Sequence, residues 1–413
     1  MKEKYLVINA GSSSLKFSLN EIKDNDFNEL VSGIVEKIGE DMSIYSLKGK
    51  TKIEKEGIIK DHTQAVSIML KELLDNNYIE DLSEIKGVGH RVLHGGELYS
   101  ESVEITDEVL ENIKSLEKLG PLHIPGEVSG IESMKKLLPN ITQVAVFDTA
   151  YHQTMPKENY MYAVPYEWYE TNGVRKYGFH GTSHNYIADQ MKKYYNKDDL
   201  NLIICHIGSG ASISCIKNGK CVNTTMGLTP LDGLMMGTRS GAIDPSIVEY
   251  ICKEKNMSVE EVNTALNKKG GLLGISGKND LRDVETLANN GDEKAKLAIR
   301  MFEKSIEKSI AEYYFELNGD VNAIVFTAGV GESGINVRKQ IITDIAKPMN
   351  ISFDELANSK IARGKEYREG KISKDSSSVD VFVIPTNEEY MILKDTYNIE
   401  KSKENSKQKV KEL

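Results

Sequence analysis

Two short stretches of this chain combine glycine, serine and a nearby strand in the way phosphate-gripping turns do. Asn9-Ala10-Gly11-Ser12-Ser13-Ser14 precedes Leu15-Lys16, and His206-Ile207-Gly208-Ser209-Gly210 precedes Ala211-Ser212. A turn without bulky side chains lets backbone N–H groups approach phosphate oxygens closely. Ser12 and Ser14 add hydroxyl donors, and Lys16 adds a point charge. An ordinary hairpin turn has the same appearance, so neither turn alone decides the matter. Neither is a Walker A loop, because GxxxxGK[ST] does not occur. A third glycine turn, Gly329-Val330-Gly331-Glu332-Ser333, follows an apolar run and lacks GxGxxG spacing, which disfavours a dinucleotide site. Arg91 and Arg239 stand among glycines, which suggests close packing against a ligand; guanidinium grips carboxylate or phosphate with two parallel bonds. A surface ion pair explains them equally well. His180 and His184 are four apart, so a zinc pair is conceivable, but no HExxH or third ligand accompanies them. Phosphoryl stabilisation by one histidine, with the other packing, is the better reading. Asp148 closes an apolar run; a carboxylate at a strand's C-terminal end points at the ligand crevice of an open sheet, or caps the next segment.

The elements that must position these groups follow from periodicity. Tyr5–Ile8 and Leu15–Leu19 read as strands flanking the first turn. Leu202–Cys205 and Ala211–Ile216 flank the second, and Asn218-Gly219 signals a further hairpin. The same strand–turn–strand pattern thus occurs twice, roughly 195 residues apart, which reads as a duplicated α/β pair. Helical patterns fall near 62–76, 106–118 and 126–138, and an apolar stripe from Ile299 through Phe302, Ile306, Ile310 and Tyr313 marks a long helix.

Bulk composition narrows the function. With 413 residues, two to three domains at roughly 150 residues each are expected. The net charge of −10 argues against a nucleic-acid partner. No run of about 18 apolar residues spans a membrane, and no signal-peptide pattern opens the chain, so a cytoplasmic protein is expected. Cys205, Cys215, Cys221 and Cys252 form no CxxC pair and read as reduced, mostly buried thiols.

Taken in order, Asn9–Lys16, HRVLHGGE, FDTAYHQTMP, YGFHGTSH, the 206–219 hairpin, TMGLTPLDGLMMGTRSG, NDLRDV and IPTNEE resemble the acetate kinase family, over essentially the whole chain to about residue 398. The resemblance implies duplicated actin-like, ribonuclease H-like ATPase domains with the active-site cleft between them. The first domain would comprise 1–150 with a C-terminal return at 385–400, the second 151–384, and 401–413 would be a charged flexible tail. It implies reversible transfer of phosphoryl from ATP to acetate and a homodimer. By motif position, Asn9 and Glu388 would help hold Mg²⁺ (or Mn²⁺), and Ser12, Ser14 and Lys16 would meet the ATP phosphates. Arg91 would bind the acid's carboxylate, and Leu93, Leu122, Phe179 and Pro230 would enclose its methyl group. His180 and Arg239 would stabilise the transferring group, with Asp148 at the attacking oxygen. His206, Ile207, Gly208, Ser209 and Gly210, Asp280, Leu281 and Arg282, and Gly329, Val330, Gly331, Glu332 and Ser333 would surround the nucleotide.

Several residues depart from the family pattern. Ser209 replaces the usual Asn and Ala242 the usual Asp, while Ile124 and Gly126-Glu127 replace more polar residues. Ser209 leaves GTP or pyrophosphate open as donors beside the favoured ATP. Leu93, commonly valine, narrows the acid pocket and predicts acetate over propionate or butyrate, by the 1–3 kcal/mol that about one methylene is worth. A nucleotide-switch protein of the same superfamily is the alternative of another class, and it would need no Arg91.

Overall fold

In the computed structural model of the chain, which describes residues 3–23, 26–50, 52–121 and 123–411, two compact units are present. The first joins residues 1–150 to 387–413, and the second spans 151–386.

The first unit holds one eight-stranded sheet. Its strands are β1 (Lys4–Ala10), β2 (Ser14–Lys23), β3 (Asp26–Glu36), β4 (Ser43–Lys48), β5 (Lys52–Gly57), β6 (Ile85–Val92), β7 (Val103–Glu104) and β8 (Thr142–Phe147). The spatial order is β5-β4-β3-β2-β1-β6-β8-β7. Strands β1 to β5 form an antiparallel meander, whereas β1, β6 and β8 run parallel. In β2, Leu15, Phe17 and Leu19 share one buried face; on the other, Lys16 stays in solvent while Ser18 and Asn20 are buried.

The second unit repeats this plan with β9 (Leu202–Ile207), β10 (Ala211–Lys217), β11 (Lys220–Thr224), β12 (Ala323–Thr327), β13 (Gly370–Lys371) and β14 (Asp380–Val383). Its order is β11-β10-β9-β12-β14-β13. The antiparallel run β9-β10-β11 matches β1-β2-β3, and the parallel run β9-β12-β14 matches β1-β6-β8. The duplicated α/β architecture is therefore visible strand by strand. Strand β12 is buried along its whole length, as a parallel strand covered on both faces must be. Helix Glu293–Glu316 buries the stripe Phe302, Ile306, Ile310 and Tyr313.

Two sequence readings need correction here. The segment 329–333 is not a turn: Ala328–Ser333 forms a short helix, entered through Ala328 at φ 65°. The charged C-terminus is not a flexible tail from residue 401 either, because helix Glu388–Lys411 continues through it. Lys401 bonds Glu3 at 2.7 Å and Glu404 at 2.9 Å, and Lys403 pairs with Glu104. These contacts tie the charged turns to the rest of the unit, as i,i+3 pairs and cross-element pairs do. Cys205, Cys215 and Cys221 are buried free thiols and Cys252 is half-buried.

The glycines around Arg91 also have a reason other than a ligand. A Cβ on Gly89 would lie 2.4 Å from the Thr396 hydroxyl and 2.5 Å from Ile392 Cγ2. Gly87 likewise meets Thr396 at 2.9 Å. These glycines let the last helix lie directly on β6. Replacing Gly89 by alanine is expected to destabilise the protein by about 1–3 kcal/mol through overpacking. Urea unfolding of the G89A protein checks this, and a wild-type midpoint would remove the argument.

Candidate active site

The first unit gathers its polar groups at the C-terminal ends of parallel strands. Arg91, next to last in β6, pairs in register with Val146, and Asp148 follows β8 directly. The Arg91 guanidinium donates from Nε to Asp148 Oδ1 at 3.1 Å and from Nη2 to Oδ2 at 2.5 Å. Asp148 is fully buried while the Arg91 side chain keeps 23% exposure. The carboxylate holds the Arg91 pKa above its already high value. Asp148 is thus tied to the arginine by both oxygens, and Nη1 is left outside the pair.

The phosphate-like turn lies in the same unit. Asn9 and Lys16 are cross-strand partners, and Gly11 N–H donates to the Ser14 carbonyl at 2.8 Å to close the turn. His62 hydrogen-bonds the Gly11 carbonyl at 2.8 Å. Helix Ile124–Leu137 lies against this backbone: a Cβ on Gly126 would come within 2.5 Å of Gly11, and one on Gly130 within 2.7 Å of Ala10. Half-buried Glu388 opens the last helix. Loss of water, reinforced by the Asp148 charge and opposed by Arg91, pushes its carboxyl up to about 7.

The second unit builds a histidine network around β10. His180, at φ 58°, caps helix Gly181–Tyr195, and its Nδ1 meets the Ser212 hydroxyl at 2.9 Å. The same hydroxyl meets His184 Nε2 at 2.8 Å, and Ser214 meets His184 Nδ1 at 2.8 Å. His180 stacks on His206 with ring centres 4.1 Å apart. His206 in turn bonds Ser183 at 2.8 Å. Burial, and then the neighbouring His152 and His206, hold His184 well below its usual pKa. It is therefore a neutral support for β10 and His180.

Arg239 reaches the same place from a loop. Its Nη1 donates to the Pro230 carbonyl at 3.3 Å, and no carboxylate among the described residues pairs with it. A Cβ on Gly210 would lie 3.4 Å from Arg239 Nη1 and 3.4 Å from His180 Nε2. A cation and an imidazole thus converge on a glycine that keeps the space between them open. The adjoining residues Gly208 and Ser209 line a cavity of about 570 Å³, together with Asp280, Leu281, Arg282, Gly329, Val330 and Ser333. Gly237 is excluded from bearing a side chain by the Asn279 carbonyl, 2.9 Å from the Cβ position. Gly237 itself lines that cavity.

The sequence of residues 4–394 matches the model of the acetokinase family. The chain belongs to the acetokinase family. It is 47% identical to an acetate kinase 2 of Clostridium perfringens, an alignment covering 95% of this chain and 98% of the relative. An acetate kinase of Thermoanaerobacterium thermosaccharolyticum is 48% identical, with 97% and 99% covered. Among solved structures, an acetate kinase of Porphyromonas gingivalis superimposes with a TM-score of 0.90 at 43% identity, covering 96% of this chain and 99% of that one. A propionate kinase of Francisella tularensis gives 0.89 at 42% identity, covering 96% and 100%. Family and superposition together establish the actin-like, two-domain ATPase fold and a phosphotransferase.

Within that acetokinase frame, the structure distributes the expected site residues unevenly. Asn9, Ser12, Ser14, Lys16, Arg91, Leu93, Asp148 and Glu388 lie in the first unit; His180, Phe179, Pro230 and Arg239 lie in the second. Leu93 and Phe179 are buried. Leu122 lies outside the described residues. Of the residues expected around the nucleotide, His206, Ile207, Gly210, Gly331 and Glu332 do not line the cavity. His206 supports His180, Ile207 is core, and buried Glu332 faces Arg363 Nε at 3.4 Å. Asn279, the first residue of NDLRDV, also lines it, as do Glu285 and Arg363, which lie outside the quoted motifs. Buried Glu127, which accepts the Leu93 N–H at 3.1 Å, was also not foreseen; its only signal is its departure from the family pattern.

His152 offers a test of the network. It bonds the Phe179 carbonyl at 2.9 Å, and burial lowers its pKa to about 4. A histidine held below its unfolded value near 6.5 favours the native state fully above that value, and the contribution disappears as pH falls toward 4. Unfolding free energy is expected to fall by about 3 kcal/mol across that window for this residue alone, because one pKa unit is worth about 1.4 kcal/mol. Denaturant unfolding at several pH values should show a shallower fall in the H152Q protein. Parallel curves for the two proteins would contradict a neutral buried His152.

Proposed function

We propose that this protein is an acetate kinase, transferring a phosphoryl group reversibly between ATP and acetate with ADP and acetyl phosphate as products. The observation that carries the reading is the convergence on Gly210 of His180 and of Arg239, which pairs with no carboxylate among the described residues, next in the chain to two residues of a nucleotide-sized cavity. An arginine without a carboxylate in a half-buried loop suits an anion that arrives with the substrate.

Arg91 binds the acid. Asp148 holds its fork in place and so acts on the acid through the arginine. A carboxylate acceptor is already ionised near neutral pH, since its pKa lies near about 4.3, so no strong base is required. His180 donates from Nε2 and Arg239 from Nη1 to the oxygens of the transferring group, where charge builds up in the transition state. Ser212 fixes the His180 ring, and Gly210 leaves room for the group.

The residues fit a divalent cation. Among the described residues no group of three or more His, Cys, Asp or Glu forms a closed metal cage. Mg²⁺ does not need one, because it retains water and takes one or two carboxylates together with phosphate oxygens. Glu388, whose carboxyl is crowded by Asp148, and Asn9 would hold it. Bound there, the metal would neutralise phosphate charge.

The acid preference has a second reading. A propionate kinase superimposes almost as well as an acetate kinase, and buried Leu93 is the residue argued to favour the shorter acid. A hydroxamate assay with ATP and Mg²⁺, run with acetate, propionate and butyrate, and with pyrophosphate replacing ATP in one row, decides among these. Acetate with ATP is expected to give the strongest colour. Colour only with a longer acid would overturn the pocket argument, and colour only with pyrophosphate would overturn the donor. The R239A protein should lose on the order of 10³ in kcat, in the range known for arginines that meet a transferring phosphoryl group. Activity within threefold of wild type would remove Arg239 from the chemistry.

A further inference from the structure

The first unit contains a buried carboxyl with one oxygen that no described residue satisfies. Glu127, in the first turn of helix Ile124–Leu137, is 3% exposed. Its Oε1 accepts the Leu93 N–H at 3.1 Å, and its Oε2 has no hydrogen-bond partner among the described residues. A buried polar oxygen left unpaired is destabilising. Such a cost is tolerated where a ligand removes it.

The position of this carboxyl follows from its neighbour. Gly126 has no side chain, and a Cβ there would collide with the Gly11 backbone at 2.5 Å. The helix therefore settles onto the β1–β2 turn, and Glu127 reaches the N–H of Leu93, two residues beyond Arg91. Gly126 and Glu127 are both departures from the family pattern, and here they act together. Burial pushes the Glu127 carboxyl up to about 8, against the opposing pull of Arg91 and with added push from Asp148. Near neutral pH it carries a proton. One oxygen accepts from Leu93, and the other end is a buried O–H donor beside a cation that binds carboxylates.

We infer that Glu127 is a binding residue for the acid substrate, donating its Oε2 proton in a hydrogen bond to the carboxylate of a short aliphatic acid held by Arg91. The inference rests on the acetate kinase reading above and extends its acid site by one residue. Arg91 supplies charge and Glu127 supplies a neutral donor. The neutral donor adds direction without adding a negative charge beside Asp148. No proton is transferred; the carboxylic acid stays intact, and the acceptor oxygen remains free to attack.

Steady-state kinetics on the full-length protein test this with E127Q and E127L. Glutamine offers the same pair of groups, an oxygen for Leu93 N–H and an N–H for the substrate. Leucine offers neither. The acetate KM is expected to rise about tenfold in E127L and to stay within about threefold of wild type in E127Q. The ATP KM should be unchanged in both. An unchanged acetate KM in E127L, or an equal rise in both variants, would overturn the inference. A rise in acetate and ATP KM together with a lowered melting temperature would also overturn it, because that is the mark of a structural role. Should E127L fail to fold, E127M keeps the length and volume and carries the same comparison. A wild-type protein that forms no acyl phosphate from any acid would instead overturn the reading on which the inference stands.

Discussion

The pairing of Arg91 with Asp148 sets the terms for the first unit. A guanidinium at the end of a parallel sheet loses much of its water, and an uncompensated charge there would be costly. The strands resolve this by register. Arg91 near the end of β6 and Asp148 just past β8 come side by side because the two strands run parallel and adjacent. Two parallel bonds then fix the fork in one orientation. The arrangement consumes Nε and Nη2 and leaves the far side of the guanidinium for an incoming anion. The protein accepts the desolvation of an ion pair in return for an arginine that does not have to reorganise on binding.

The second unit handles the same physical difficulty differently. Arg239 has carbonyl and thioether neighbours and no carboxylate partner among the described residues, and burial lowers its pKa. In the proposed function its counter-charge is an anion that arrives with the substrate. Nearby polarity is neutral by construction: His184 and His152 are held uncharged by burial, and serines join the rings. One arginine is preorganised by a permanent partner, the other is reserved for a transient one. This contrast matches what would be asked of a substrate-binding cation and of a cation that meets developing charge.

Some of this was legible in the sequence because it is local. A β-strand alternates with period two, a turn needs glycine and serine, and a buried helix carries an apolar stripe; all three leave marks within ten or twenty residues. The duplicated plan showed through the recurrence of one such mark. What stayed hidden involves residues far apart in the chain. The glycines beside Arg91 looked like ligand contacts, yet Gly89 is matched to Thr396 and Ile392. No local pattern announces a partner some three hundred residues away. The cavity residues Asn279 and Glu285 come from one segment and Arg363 from another some eighty residues on, and only the fold assembles them. The charged C-terminus looked like a solvated tail by composition, and pairs with Glu3 and Glu104 hold it as helix instead. Ala328 adopts a left-handed conformation at φ 65° that residue type alone argues against.

The discontinuity of the first unit has a consequence for how the molecule is made. Synthesis runs from the N-terminal side to the C-terminal side, and domains generally fold as they emerge. The second unit is one uninterrupted segment, 151–386, and has all its strands before the last helix is translated. The first unit begins earlier and finishes later. Strand β6 presents the shallow face at Gly87 and Gly89, and the apolar residues Ile392 and Leu393 that cover the neighbouring core arrive only with the final stretch of chain. The unit that starts first thus closes only after the second has been made, and its apolar sheet face stays uncovered while those residues are added.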